Sequence, residues 1–229
     1  MKNLKIVKIQ QKLKDNKIDT LIINRTDEFL NEYIPPDAER LFWATDFSGS
    51  AGRAIINQNQ SYLFVDGRYT FQAKEQVDEN VISLLHLNDF FIELAENFKK
   101  NKCVGLDPML HSIEEVNKIV ELSKKNKTKL HLTSPNLIDE LWVDKPKRQY
   151  SIIFDHPLRY AGVDASNKID QFVKELQNNN LDCYFLSSLD SIAWLLNIRA
   201  DDILYTPLVF SYLFISVENK PILYLAIEK

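Results

Sequence analysis

An α/β fold of two related domains, each a mixed β-sheet flanked by helices, is predicted by three features of the sequence. Amphipathic helical stretches alternate with short β-branched runs, a helix-then-strand opening occurs twice at one constant offset, and a charged, proline-punctuated stretch separates the two copies. At 229 residues the chain is too long for a disulfide-stapled mini-domain and fits one large domain or two modest ones, of which two is the reading taken.

The elements follow in order. Ile6, Ile9 and Leu13 fall on one helical face, and Asp15-Asn16-Lys17 then breaks into Ile18-Asp19-Thr20-Leu21-Ile22-Ile23, a run fit for a buried strand. Thr45 to Gly52 reads as a polar loop with glycines placed for unusual backbone dihedrals. Arg53 to Ile56, Asn57-Gln58-Asn59-Gln60 and Ser61 to Val65 read as a β-hairpin. Tyr69 to Gln76 is a short helix, Val81 to Leu85 a strand, and Asp89 to Lys100 an amphipathic helix with Phe90, Phe91, Leu94, Ala95 and Phe98 inward. A short strand at Val104 to Leu106 precedes the capping box Ser112-Ile113-Glu114-Glu115, whose glutamate is expected to reach back to the helix start. Val116, Ile119 and Val120 supply the stripe of the helix that follows, and Leu130 to Thr133 is a further strand. After Leu137 to Trp142, the linker Val143 to Arg148 puts a domain boundary near residue 147, giving domains 1–147 and 148–229.

Laid on the first copy, Ile169, Phe172, Leu176, Asn179, Leu181 and Asp182 match Ile6, Ile9, Leu13, Asn16, Ile18 and Asp19 without a gap. Ala193-Trp194-Leu195 matches Leu41-Phe42-Trp43, and the strands Tyr212 to Ile215 and Ile222 to Leu225 repeat the hairpin. The second copy stops at Lys229 before the counterparts of the later strands and helices, so it reads as incomplete, with Ile222 to Ile227 as an apolar edge.

Composition limits function. With 45% hydrophobic and 26% charged residues the chain is not disordered, and 28 basic against 32 acidic residues leave a net charge of -4. No positive field is available for a nucleic-acid backbone or an anionic membrane. No run of about 20 apolar residues exists for a membrane span, and Met1-Lys2-Asn3-Leu4-Lys5 is no secretion signal, so a cytoplasmic location is expected. Cys103 and Cys183 are isolated and read as ordinary thiols. His86, His111, His131 and His156 are scattered and stand in no metal-ligand spacing. Asp201-Asp202 beside Arg199 reads as a loop ion pair before an acid-base couple.

Two segments invite chemistry. Ser48-Gly49-Ser50-Ala51-Gly52 misses the GxSxG elbow by one residue and has neither phosphate-loop spacing, so a tight turn is the better reading than a nucleophile at Ser48 or Ser50. Asp66-Gly67-Arg68-Tyr69 ends an apolar strand, where Gly67 allows a turn and Arg68 offers a planar donor fork suited to carboxylates or carbonyls. From the residues alone, an internal Asp66 to Arg68 pair ranks ahead of outward recognition.

The blocks Glu32 to Pro36, Arg40 to Gly52, Val65 to Tyr69 and Ser188 to Arg199 together resemble the N-terminal half of Xaa-Pro aminopeptidases of the long, three-domain form. The resemblance covers nearly the whole chain and implies two creatinase N-terminal-type domains preceding a pita-bread catalytic domain that would begin beyond Lys229. It implies removal of the first residue from peptides with proline second, by two divalent metal ions, usually manganese, held by two aspartates, a histidine and two glutamates of that later domain. No catalytic or metal-binding residue is then expected in this chain, and one substrate-binding residue is carried over: Arg68, as the arginine of the family's DGRY block. Homodimerisation is implied as well. The readings set against this are a stand-alone oligomerising or regulatory module for a separately encoded catalytic domain, and an unrelated serine hydrolase. The family often repeats an Asp-Gly where this chain ends Leu225-Ala226-Ile227-Glu228-Lys229.

Overall fold

A computed structural model describes residues 2–226. The chain divides into two units, one of residues 1–32 and 36–147 and the other of residues 33–35 and 148–229.

The first unit opens with α1 (Lys2–Asp15), whose Ile6, Ile9 and Leu13 are fully buried at helical spacing, and β1 (Thr20–Asn24). Then come α2 (Arg40–Thr45), the hairpin β2 (Gly52–Asn57) and β3 (Ser61–Val65), α3 (Thr70–Gln76), β4 (Ile82–His86) and α4 (Phe90–Lys100). The unit closes with β5 (Cys103–Leu106), α5 (Ile113–Asn126), β6 (Lys129–Leu132) and α6 (Leu137–Leu141). The sheet runs β4-β3-β2-β1-β5-β6, with β2 antiparallel to both neighbours and every other pair parallel.

Alternation along the strands builds two layers. Leu21, Ile23, Ala54, Ile56, Leu63 and Val65 point into a core shared with α1, α2 and α6. Their neighbours Ile22, Ile55 and Phe64 point the other way, onto Phe90, Leu94 and Phe98 of α4 and Ile119 of α5. Ser112 caps α5 by accepting from the Glu115 N–H at 3.2 Å, as the capping pattern predicts. The carboxylate of Glu115 does not serve the helix start: it is turned to Arg53 and His111, stronger charged partners reached only through the fold.

The second unit holds β7 (Phe154–Asp155), α7 (Leu158–Ala161), α8 (Ala165–Asn178), β8 (Cys183–Leu186), α9 (Leu189–Leu196), β9 (Ile198–Arg199), β10 (Ser211–Ser216) and β11 (Ile222–Leu225). Its main sheet is β11-β10-β8, all antiparallel, and β7 pairs with β9. Helix, strand, helix and hairpin recur in the order and pairing of α1, β1, α2, β2 and β3, so the repeat in the sequence is a repeat of topology. Leu186, Leu213 and Ile215 pack on Leu176, Ile192 and Leu195 of the two helices. On the other face Phe185, Ile222 and Tyr224 stay half exposed, whereas the corresponding face of the first unit is covered by α4 and α5. The expected apolar edge is present over Ile222–Leu225; Ile227 and the last two residues lie outside the described residues.

One ion pair joins the helical layer of the first unit. Arg40 grips Asp139 with Nε and Nη2, both at 2.8 Å, and Lys145 adds a third bond at 2.9 Å. Burial pushes the Asp139 carboxyl up, but these bonds outweigh it and hold the group below its ordinary value of 3.8. The unfolded chain therefore binds this proton more readily, and the carboxylate contributes stability above that pH and withdraws it below. We expect Asp139→Asn to be less stable than the parent at neutral pH, with the gap closing as pH falls below 3.8, measured by urea unfolding across a pH series.

Candidate functional site

The strand β3 ends at Val65, and the next four residues form a tight turn outside the sheet. Asp66 caps it by accepting from the Arg68 N–H at 2.9 Å. The Arg68 side chain folds back on the same carboxylate, Nε at 3.0 Å and Nη2 at 2.6 Å from Oδ2. Hydrogen bonding from Arg68 holds Asp66 below the usual carboxylate range, and the same bonds raise the pKa of Arg68. The Arg68 side chain is 66% exposed, and its guanidinium lies 5.2 Å from the centre of the Tyr69 ring. The internal pair favoured by the residues alone is thus formed, on a side chain that remains open to solvent.

The serine-glycine loop is packed against this turn. The Ser50 and Tyr69 hydroxyls are 2.6 Å apart, and the Phe47 ring meets Tyr69 edge-on at 5.8 Å. Ser48 accepts from Gln72 and Gln76 of α3, and its N–H donates to Gln76 Oε1. Neither serine has a base as its hydrogen-bond partner among these contacts: the Ser50 hydroxyl holds the loop to the turn and the Ser48 hydroxyl holds it to α3. The expectation that its glycines serve unusual dihedrals is corrected: among the described residues the only glycine with positive φ is Gly162. Close approach is the reason instead, since a Cβ on Gly49 would lie 2.2 Å from Phe47 Cζ and one on Gly52 2.9 Å from Phe47 Cε1. Gly67 has open space where a side chain would stand, so the turn does not require it.

A second polar cluster lies at the carboxyl ends of β1 and β5. These strands lead away to opposite sides of the sheet, the switch point where α/β folds form crevices. There Glu115 accepts from Arg53 at 2.7 and 3.1 Å and meets His111 Nδ1 at 2.9 Å, beside a crevice of about 360 Å³. Burial raises the Glu115 pKa, but the bonds from His111 and the Arg53 charge prevail and hold it low. Arg25 pairs with Glu39 at 2.8 Å, where burial prevails and the carboxyl is raised. The sequence reading missed this cluster, whose members are separated by up to 91 positions; the only local signal was polar residues directly after an apolar strand.

The remaining candidates are structural. Asp202 is buried and accepts from the N–H groups of Ser151 and Phe210, while Arg199 donates to the Ala193 and Ile198 carbonyls. Cys103 and Cys183 are free thiols. Among the described residues no three His, Cys, Asp or Glu side chains come together to hold a metal ion.

A layered mixed sheet followed by a smaller copy of its own first half defines a tandem α/β scaffold. Models of the creatinase/prolidase N-terminal domain match residues 5–141 and 144–229, and the chain belongs to that family. It is 36% identical over 217 residues to a protein of Aspergillus niger named Probable Xaa-Pro aminopeptidase P, covering 93% of this chain and 35% of that protein. A Talaromyces marneffei protein of the same name is 35% identical over 233 residues, covering 98% and 35%. Among solved structures, the X-prolyl aminopeptidase of Caenorhabditis elegans, described as a cytosolic enzyme with a di-nuclear active site, matches with a TM-score of 0.84 and 27% identity over 93% of this chain and 35% of that one. The chain therefore corresponds to the N-terminal part of these relatives and spans about a third of their length.

The loop geometry gives a direct expectation. Gly49→Ala forces Phe47 or Tyr69 to move and should destabilise the first unit by about 1–3 kcal/mol, the usual cost of overpacking. Thermal or urea unfolding measures it, and a chemical-shift change at Tyr69 and Arg68 reports the displaced turn.

Proposed function

We propose that this chain is the non-catalytic N-terminal portion of a metal-dependent Xaa-Pro aminopeptidase, an enzyme that removes the first residue of peptides whose second residue is proline. The tandem family domains, matched to about a third of the relatives' length, carry this reading. In it, domains 1–147 and 148–229 are the two creatinase N-terminal-type lobes. The two divalent ions, manganese in this proposal, are bound by other residues. The donors described here do not fit a di-metal centre, and no step through a metal is assigned to them. The enzyme would act in the cytoplasm as a homodimer, without nucleic-acid or membrane partners. Among the described residues no helix is long and apolar enough to cross a membrane.

Arg68 is the residue through which this portion serves the reaction. Its exposed planar fork would bind a peptide carbonyl or carboxylate by charge-assisted hydrogen bonds, positioning substrate without performing chemistry. Asp66 and the Ser50 to Tyr69 contact hold the turn that presents it. Two measurements test the proposal. The chain by itself should release no residue from an Xaa-Pro peptide with manganese added; measurable release refutes the non-catalytic assignment. In the longer enzyme Arg68→Ala should lower kcat/KM by about ten- to hundred-fold, the scale of a hydrogen bond to a charged group, with the unfolding midpoint unchanged. Unaltered kinetics would remove Arg68 from the substrate path.

The half-exposed Phe185, Ile222 and Tyr224 favour one further reading, a module that associates with a separately produced catalytic polypeptide. Mixed with the remainder of the Aspergillus niger relative, the chain should then sediment as a complex that Phe185→Asp weakens at least tenfold. Separate sedimentation rejects it.

A further inference from the structure

Three buried polar atoms of the first unit, on three different segments, have no hydrogen-bond partner among the described residues: Asn24 Oδ1, Arg40 Nη1 and Thr133 Oγ1. Their residues are 5%, 9% and 2% exposed. The three residues that carry them line one small cavity near the carboxyl ends of β1, β5 and β6, in which about 10 Å³ is open to the centre of a water molecule. That space admits a single water.

The orientation of two of the side chains is fixed by other bonds. Asn24 donates Nδ2 to the Leu110 carbonyl at 3.0 Å, which leaves its oxygen as the unmet atom. Arg40 commits Nε and Nη2 to Asp139, which leaves Nη1 as a donor directed elsewhere. The set is therefore one obligate acceptor, one obligate donor and one hydroxyl that can do either.

From this chemistry we infer that the cavity is a built-in site for one internal water. An anion is repelled by the Asn24 oxygen, and Asp139 already neutralises Arg40. A cation is repelled by the guanidinium. An apolar occupant leaves all three atoms unmet. Water accepts from Arg40 Nη1, donates to Asn24 Oδ1 and exchanges a hydrogen bond with Thr133 Oγ1, so one molecule satisfies all three. The site joins the end of the central strand β1, the first residue of α2 and the segment leaving β6. It shares Asn24 and Leu110 with the polar crevice.

High-resolution diffraction from crystals of the whole chain tests the inference directly. The expected result is one density peak within hydrogen-bond distance of all three atoms, with no anomalous signal there after a bromide soak. A bromide peak assigns the site to an anion and overturns the inference, as does an empty cavity or direct bonding among the three side chains. In solution, deuterium and oxygen-17 relaxation dispersion should lose the contribution of one long-lived water in Thr133→Ile, which removes the hydroxyl and fills the space. An unchanged contribution in the folded variant also overturns it, and if that variant fails to fold the wild-type crystal decides.

Discussion

Everything in the first unit depends on burying β1 on both faces and along both edges. All five of its residues are buried, with β2 antiparallel on one side and β5 parallel on the other. A strand so enclosed must be apolar in both directions, and its alternating side chains then dictate two separate cores. Leu21 and Ile23 call for the α1, α2 and α6 layer, and Ile22 for α4 and α5. Among the described residues the counterpart β8 has only β10 beside it, and three of its four residues are exposed. The contrast between two copies of one motif separates what the motif supplies by itself, a helix-covered hairpin sheet with one finished face, from what later elements add.

The same enclosure locates the chemistry. Apolar strands have to shed their polar residues at their ends, and at the carboxyl ends of β1, β3 and β5 these are Asn24 and Arg25, Asp66 and Arg68, and Asp107 with His111 beyond it. Burial there is compensated by charge pairing with different outcomes. Glu115, with a guanidinium and an imidazole on it, is held ionised, whereas Glu39, with a single Arg25 contact, is pushed towards its neutral form. Ion pairs of similar length at one end of a sheet thus differ in sign because the number of donors differs.

Much of this was legible in the chain. Ile6, Ile9 and Leu13 announce their helix by spacing, the hairpin by its polar turn, and the second unit by repeating both. The blocks that resemble Xaa-Pro aminopeptidases lead to the family that the comparisons establish. What stayed hidden needed three dimensions. Glu115 looked like half of a capping box because Arg53 is 62 positions away in sequence, and glycines 49 and 52 looked like dihedral specialists because no sequence pattern announces the Phe47 ring above them. The short β7 and α7 were missed because a two-residue strand and a four-residue helix flanked by proline carry no periodicity to read.

The reading of Arg68 posed internal pairing and outward recognition as rivals, and the geometry makes them compatible. Exposed ion pairs add little to stability because water competes for both partners, so releasing Asp66 is cheap. The pair nevertheless narrows where the fork can point, because the carboxylate is fixed by the turn it caps and the turn is fixed by Tyr69, Ser50 and the close-packed Gly49. A flexible side chain that is restrained when free and inexpensive to redirect loses less conformational freedom on meeting a carbonyl than an unrestrained one. In the proposed role, then, Asp66 acts as a holder for Arg68. The serine-glycine loop then makes the base of that holder rigid through the Ser50 to Tyr69 contact.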